Sequence, residues 1–261
     1  MNVQRIERDG VALAYTEAGS GAPPMLLVHG WTCDHSYFQP QFEHFSGSHR
    51  TVAVDLRGHG ASDKPEQEYT ADLFADDLAY LIGTLGLEKP VVIGHSMGGA
   101  IVLALAQRHP ELPGAIVMVD GAAVPAHGTA EGVQPFVDGL YSPAYREVQR
   151  AFVEGALFDP TDDPALRERV VREMTAVPQH VTASCIKNLV AYDWEAAARA
   201  CTVPALNVVA ARPIQDVQLT RELMPNLVHG QTVGAGHFLQ LLVPEQLNAM
   251  IDRFLQLCVP A

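Results

Sequence analysis

The chain has 261 residues, 48% hydrophobic and 18% charged, with no low-complexity tract, so it reads as an ordinary globular protein with a sizeable core rather than a disordered one. Thirty acidic against seventeen basic residues give a net charge of −13, which argues against nucleic acid or an anionic membrane as partner and favours a small-molecule substrate. No apolar run reaches membrane length, and the start "MNVQRIERDG" lacks the apolar stretch of a secretory signal. Cys33, Cys185, Cys201 and Cys258 form neither a C-x-x-C pair nor a metal-ligand spacing, so a cytoplasmic protein with free thiols is expected.

The first segment, "VALAYTEAG", alternates like an exposed-edge strand and stops at the turn cluster "GSGAPP". The runs "MLLVHG", "TVAVDLRG", "PVVIGHS" and "AIVMVDG" then follow, each with the continuous apolar character of a buried strand. Helical spacing of apolar residues separates them, from Leu73 to Leu85 and again from Ala100 to Gln107. Strands alternating with helices predict an α/β fold with a mostly parallel sheet and helices on both faces. From Gly121 to about Cys201 the alternation stops, and patterns such as "YREVQRAFVEGALF" and "PALRERVVREMTAV" predict an inserted helical cap. Alternation resumes with "PALNVVAA", a helix near "DVQLTRELM", the strand "LVHGQTVG" and the helix "PEQLNAMIDRFLQL". Residues 1–120 and 202–261 are therefore expected to form the core, and 121–201 the cap.

Within this frame "GHSMGG", residues 94–99, sits between a strand and a helix. A G-x-S-x-G at such a junction is the pattern of a nucleophile elbow, in which a sharp turn presents the serine and glycines make room for neighbouring chains. Ser96 is the candidate nucleophile; a plain helix-capping serine is the alternative. In "GAGHF", His237 follows the last predicted strand, where α/β sheets place their sites, and it has the pKa range that a general base for a hydroxyl needs. At the end of "LLVHGW", the N–H of Trp31 is placed to pair with that of Met97 as an oxyanion hole, with the indole as a pocket wall. Arg57, His59 and Asp63 in "DLRGHGASDKP" are expected to brace that loop rather than perform chemistry.

Taken together and in order, "HGW", "DLRGHGASDKP", "GHSMGG" and "GAGHF" resemble the α/β-hydrolase superfamily over nearly the whole chain outside the cap. The resemblance implies a serine–acid–histidine triad and says little of substrate, because the fold also hosts dehalogenases, oxygenases and non-catalytic receptors. The commonest place for the family's acid, the loop after the seventh strand, here reads "VVAARPIQD", with Arg212 and Pro213 where the aspartate is expected and Asp216 a few residues late. A subset of the family carries the acid directly after the sixth strand, and "IVMVDGA" puts Asp120 there. Asp120 is the expected acid, since a charge ending a buried strand needs a partner; Asp216 is the alternative, otherwise an N-cap.

The reading is a serine hydrolase of a small ester, lactone or related acyl compound, with no metal or organic cofactor; no H-x-H-x-D-H or H-E-x-x-H pattern occurs. A cofactor-free oxygenase of N-heteroaromatic compounds, using His35, and a ligand-binding receptor with a vestigial triad are the competing readings. His35, Phe136, Tyr141, Phe152, Phe158 and Trp194 are candidate substrate contacts. The oligomeric state is left open.

Overall fold

The computed structural model describes residues 2–121 and 130–258. Strand β1 (Gln4–Arg8) turns at Asp9–Gly10 into β2 (Val11–Ala18). Both turn residues have positive φ, 54° and 74°, as a two-residue hairpin requires and as Asp-Gly supplies at little cost. This hairpin corrects one expectation: β2 is not the sheet edge but lies inside it, with Leu13, Ala14 and Tyr15 buried. β1 covers that edge and escapes the periodicity test, because "QRIER" has a single apolar residue and its charged side chains suit an exposed edge.

β3 (Met25–Val28), β4 (Thr51–Val54), β5 (Val91–His95), β6 (Ala115–Val119) and β7 (Ala205–Val209) are buried along their whole length, and β8 (Val228–Gln231) forms the far edge. The order is β1-β2-β4-β3-β5-β6-β7-β8, with the β1–β2 and β2–β4 pairs antiparallel and every other pair parallel. From β3 the chain steps outward to β4 and then returns across β3 to β5. A reversal of this kind opens a crevice beyond the C-terminal ends of the two strands, the usual ligand site of open α/β sheets.

The helices are α1 (Gln39–Phe45), preceded by a 3₁₀ turn over His35–Phe38, α2 (Ala71–Leu85) and α3 (Met97–Arg108). Next come α4 (Ala130–Leu140), α5 (Tyr145–Ala156), α6 (Pro164–Met174), α7 (Gln179–Ala191) and α8 (Trp194–Ala200), then α9 (Val217–Leu223), α10 (Leu239–Leu242) and α11 (Pro244–Cys258). Alternation along the strands splits the core in two. Leu26, Val28, Val92, Ile116 and Met118 pack with the buried faces of α2 and α3, while Leu27, Ile93, Val117 and Val208 pack with Phe42, Phe45, Ile251 and Phe254 of α1 and α11. α2 begins two residues before the expected start because the Thr70 hydroxyl accepts the Leu73 N–H, a cap worth about 1 kcal/mol.

α4 to α8 all fall between β6 and β7, where the strand–helix alternation breaks in the sequence. Residues 122–129, the start of the expected cap, lie outside the described residues. The loop after β4 is tied to α2 by a buried two-point ion pair, Arg57 to Asp77 at 2.9 and 2.7 Å, and Asp63 accepts the Ala12 N–H at 2.9 Å. Among the described residues no helix is long and apolar enough to cross a membrane.

Candidate active site

At the end of β5 the chain reverses through Ser96, at φ 53° and ψ −117°, and enters α3. For a residue with a Cβ this is a strained conformation that persists only when its surroundings fix it. Two close approaches do so. A Cβ on Gly94 would collide with the Gly98 carbonyl, and one on Gly98 would strike the carbonyls of Val28 and His29 at the end of β3. The Ser96 N–H bonds to the Val119 carbonyl at 3.0 Å, while its side chain makes no capping bond to α3. The capping alternative is therefore not what the structure contains.

Asp120 follows β6 directly, also at positive φ (42°), and is wholly buried. Its Oδ1 accepts the Ala210 N–H at 3.1 Å, and its Oδ2 faces His237 Nδ1 at 2.7 Å. A carboxylate can only accept, so Nδ1 carries a proton, and in the neutral ring it is the Nε2 lone pair that is available to act as a base. Asp216 instead accepts the Leu219 N–H at 2.9 Å as the N-cap of α9. Backbone bonds hold His237 as well: its carbonyl accepts from His95 Nε2 at 3.0 Å, and its N–H donates to Leu157 O at 3.3 Å. Next to it, Gly236 N–H donates to the carboxylate of Asp162, whose pKa is pushed up by burial. Burial drives His95 well below the usual imidazole range, aided by its neighbour His237, so it remains a neutral donor.

On the other side of the serine the chain passes through His29, Gly30 and Trp31. The Leu56 N–H donates to His29 Nε2 at 3.0 Å, which leaves Nδ1–H to donate to the Gly30 carbonyl at 2.8 Å. Burial lowers the His29 pKa and keeps this tautomer neutral. The Trp31 N–H belongs to the same planar peptide unit as that carbonyl and points the opposite way, so fixing one fixes the other. Among the described residues no acceptor takes the Trp31 N–H. Met97, first in α3, has no carbonyl one turn back to receive its own.

Ser96, His237, Trp31 and Met97 line one cavity of about 420 Å³. Its walls are mainly apolar: Cys33, Phe136, Phe152, Met174, Ile186, Leu189, Val190 and Phe238. Phe136 and Phe152 stand edge-on to the Trp31 indole, each with ring centroids 6.1 Å from it. A smaller hollow of about 240 Å³ adjoins it at His237 and Arg212, and there Phe158 is found. Arg212, mostly exposed, is ion-paired with Asp159.

Three expected contacts are corrected. His35 is turned away to Asp55, with its Nδ1 and its backbone N–H both 2.8 Å from the same carboxylate oxygen. Tyr141 is half exposed at the end of α4, and Trp194 packs on Tyr192 with its indole N–H 2.7 Å from Leu189 O. Neither lines the cavity. Singling out aromatics also misses the aliphatic wall: Ile186, Leu189 and Val190 are spaced as one helical face, a signal the sequence does carry. Asp34, His35 and Asp55 lie close enough together to suggest a cation site, but Asp34 caps Ser36 N–H and Asp55 receives Ala61 N–H and the two His35 donors.

This arrangement has relatives. The family model of the alpha/beta hydrolase fold matches residues 23–244, and the chain belongs to that family. Among curated proteins it is 40% identical over 117 residues to 2-(acetamidomethylene)succinate hydrolase of Mesorhizobium japonicum, a match covering 45% of this chain and 42% of that protein. It is also 36% identical over 111 residues to epoxide hydrolase 3 of Xenopus tropicalis, covering 41% of this chain and 30% of that protein. These matches thus span less than half the length of the curated relatives. A crystal structure of E-2-(acetamidomethylene)succinate hydrolase superposes with TM-score 0.78 at 28% identity, over 98% of this chain and 99% of that one. The enol-lactonase of Burkholderia xenovorans superposes with TM-score 0.82 at 23% identity, over 97% and 100%, a likeness of fold.

Proposed function

We propose that the protein is a hydrolase in which Ser96 attacks the carbonyl of an ester, lactone or related acyl compound. His237 Nε2 takes the Ser96 proton as the Oγ–carbon bond forms, and the Trp31 and Met97 N–H groups receive the oxyanion. The leaving alkoxide departs with that proton from His237, and an acyl-serine remains. Water, deprotonated by the same nitrogen, then attacks the acyl carbon and frees the carboxylic acid and the serine. Asp120 keeps the imidazole in the required tautomer and stabilises its charged form. The observation that carries this reading is the 2.7 Å contact between buried Asp120 and His237 at the wall of a cavity that also holds the strained Ser96.

In this reading helices α4 to α8 form a cap whose apolar faces receive the acyl group and exclude water. The apolar lining favours a hydrocarbon or aromatic acyl group over a dicarboxylate such as the named succinate of the relative above, since Arg212 is already paired with Asp159. His35, the residue that would serve the oxygenase reading, is engaged by Asp55 away from this cavity. The test is hydrolysis of p-nitrophenyl esters in aerobic and in degassed buffer by the parent and Ser96→Ala. Equal rates with and without oxygen, abolished by the substitution, are expected; oxygen-dependent turnover that survives Ser96→Ala would overturn the proposal.

A further inference from the structure

Gln149, in the middle of α5, is completely buried. Its Nε2 donates to Met174 O at 2.9 Å, at the end of α6, and to Thr32 Oγ1 at 3.0 Å, in the loop after β3. Thr32 has φ 54°, a left-handed conformation that a β-branched residue adopts only under constraint. It directly follows Trp31, whose indole N–H is itself bonded to Thr182 O in α7 at 3.0 Å. The segment Trp31–Thr32 is thus held from outside the sheet, by helices that the chain inserts between β6 and β7. Gln149 Oε1 has no partner among the described residues, so this amide is kept buried at a cost that core packing alone would avoid with a leucine.

We propose that Gln149 is a positioning residue for the oxyanion hole: by holding Thr32 left-handed, it aims the neighbouring Trp31 N–H at the developing charge. The inference rests on the hydrolase reading above. It makes the seating of α5 a determinant of the chemical step and not only of which substrate fits. An interaction felt only by the oxyanion lowers kcat when lost and leaves ground-state binding unchanged, whereas a cap that merely shapes the pocket changes KM.

The experiment compares the full-length parent with Gln149→Leu, Thr32→Val and Thr32→Ser, using p-nitrophenyl butyrate as substrate and butylboronic acid as a tetrahedral-adduct inhibitor. Gln149→Leu and Thr32→Val are expected to lower kcat about tenfold or more with KM within about twofold, less than the full loss of an oxyanion donor. They are expected to weaken the boronic acid by a similar factor, while Thr32→Ser, which keeps the hydroxyl, stays near the parent. If Gln149→Leu does not fold, the Thr32 pair decides alone. Folded variants with unchanged kcat, or with a changed KM only, would overturn the inference while the parent's activity upholds the hydrolase. A parent that neither cleaves the ester nor reacts at Ser96 would overturn both.

Discussion

Asp120 and Asp216 have the same side chain and opposite surroundings, and these surroundings make different outcomes for the same substitution. Asp120 holds the imidazole proton, so Asp120→Asn offers an amide that favours the wrong tautomer and is expected to cost about 10²-fold or more in turnover. Asp216 caps α9, and asparagine caps nearly as well, so Asp216→Asn is expected to cost less than about tenfold. Side-by-side steady-state kinetics of the two variants check this; a crippled Asp216→Asn would move the acid to the loop after β7. Both candidates were legible in the sequence, because each follows a strand and lies between serine and histidine in the chain. Gln149 and Asp162 were not legible, since each meets its partner, Thr32 or Gly236, only through the packing of inserted helices that no local pattern fixes.

At the scale of elements, buried strands reveal themselves by unbroken apolar runs, and β3 to β7 lie where such runs predict them. β1 does not, because a polar edge strand has no hydrophobic face to alternate. The inserted helices are visible as patterns, but the faces they turn toward the serine depend on how α4, α5 and α7 pack together. Phe136 on α4 and Phe152 on α5 lie against each other with ring centroids 4.6 Å apart, both edge-on to the Trp31 indole, while Tyr141, just past the end of α4, is half exposed. Phe136→Ala and Phe152→Ala are therefore expected to act on acyl recognition. Each acyl methylene that loses its wall forfeits about 0.8 kcal/mol, so KM should rise several-fold for hexanoyl and octanoyl esters and little for acetyl, with kcat held within about threefold. A chain-length series measures it; an equal loss for acetyl and octanoyl esters would mean these rings do not touch the acyl chain.

The strand-order reversal lies between β3 and β5, so the Trp31 loop, Ser96 and, one strand further, Asp120 all emerge on one rim of the molecule. The same rim is dense in buried neutral histidines. Burial lowers His29 and His95, and burial with the neighbouring His29 pushes His59 down to about 3. For such groups the unfolded chain binds more protons than the folded one between the folded pKa and about 6.5, so stability is full above that window and falls as pH drops through it. Thermal denaturation from pH 7 to pH 4 should show Tm declining once pH passes below about 6.5; a flat profile would mean these rings are not held neutral.

The central claim, that Ser96 is a nucleophile served by Asp120 and His237, is tested most directly by intact-mass spectrometry after reaction with a fluorophosphonate. The account predicts a single phosphonyl adduct that maps to Ser96, is absent in Ser96→Ala, and forms at least about 10²-fold more slowly in Asp120→Asn. An adduct that persists at another residue in Ser96→Ala, or a parent protein that stays unmodified while folded, would contradict it.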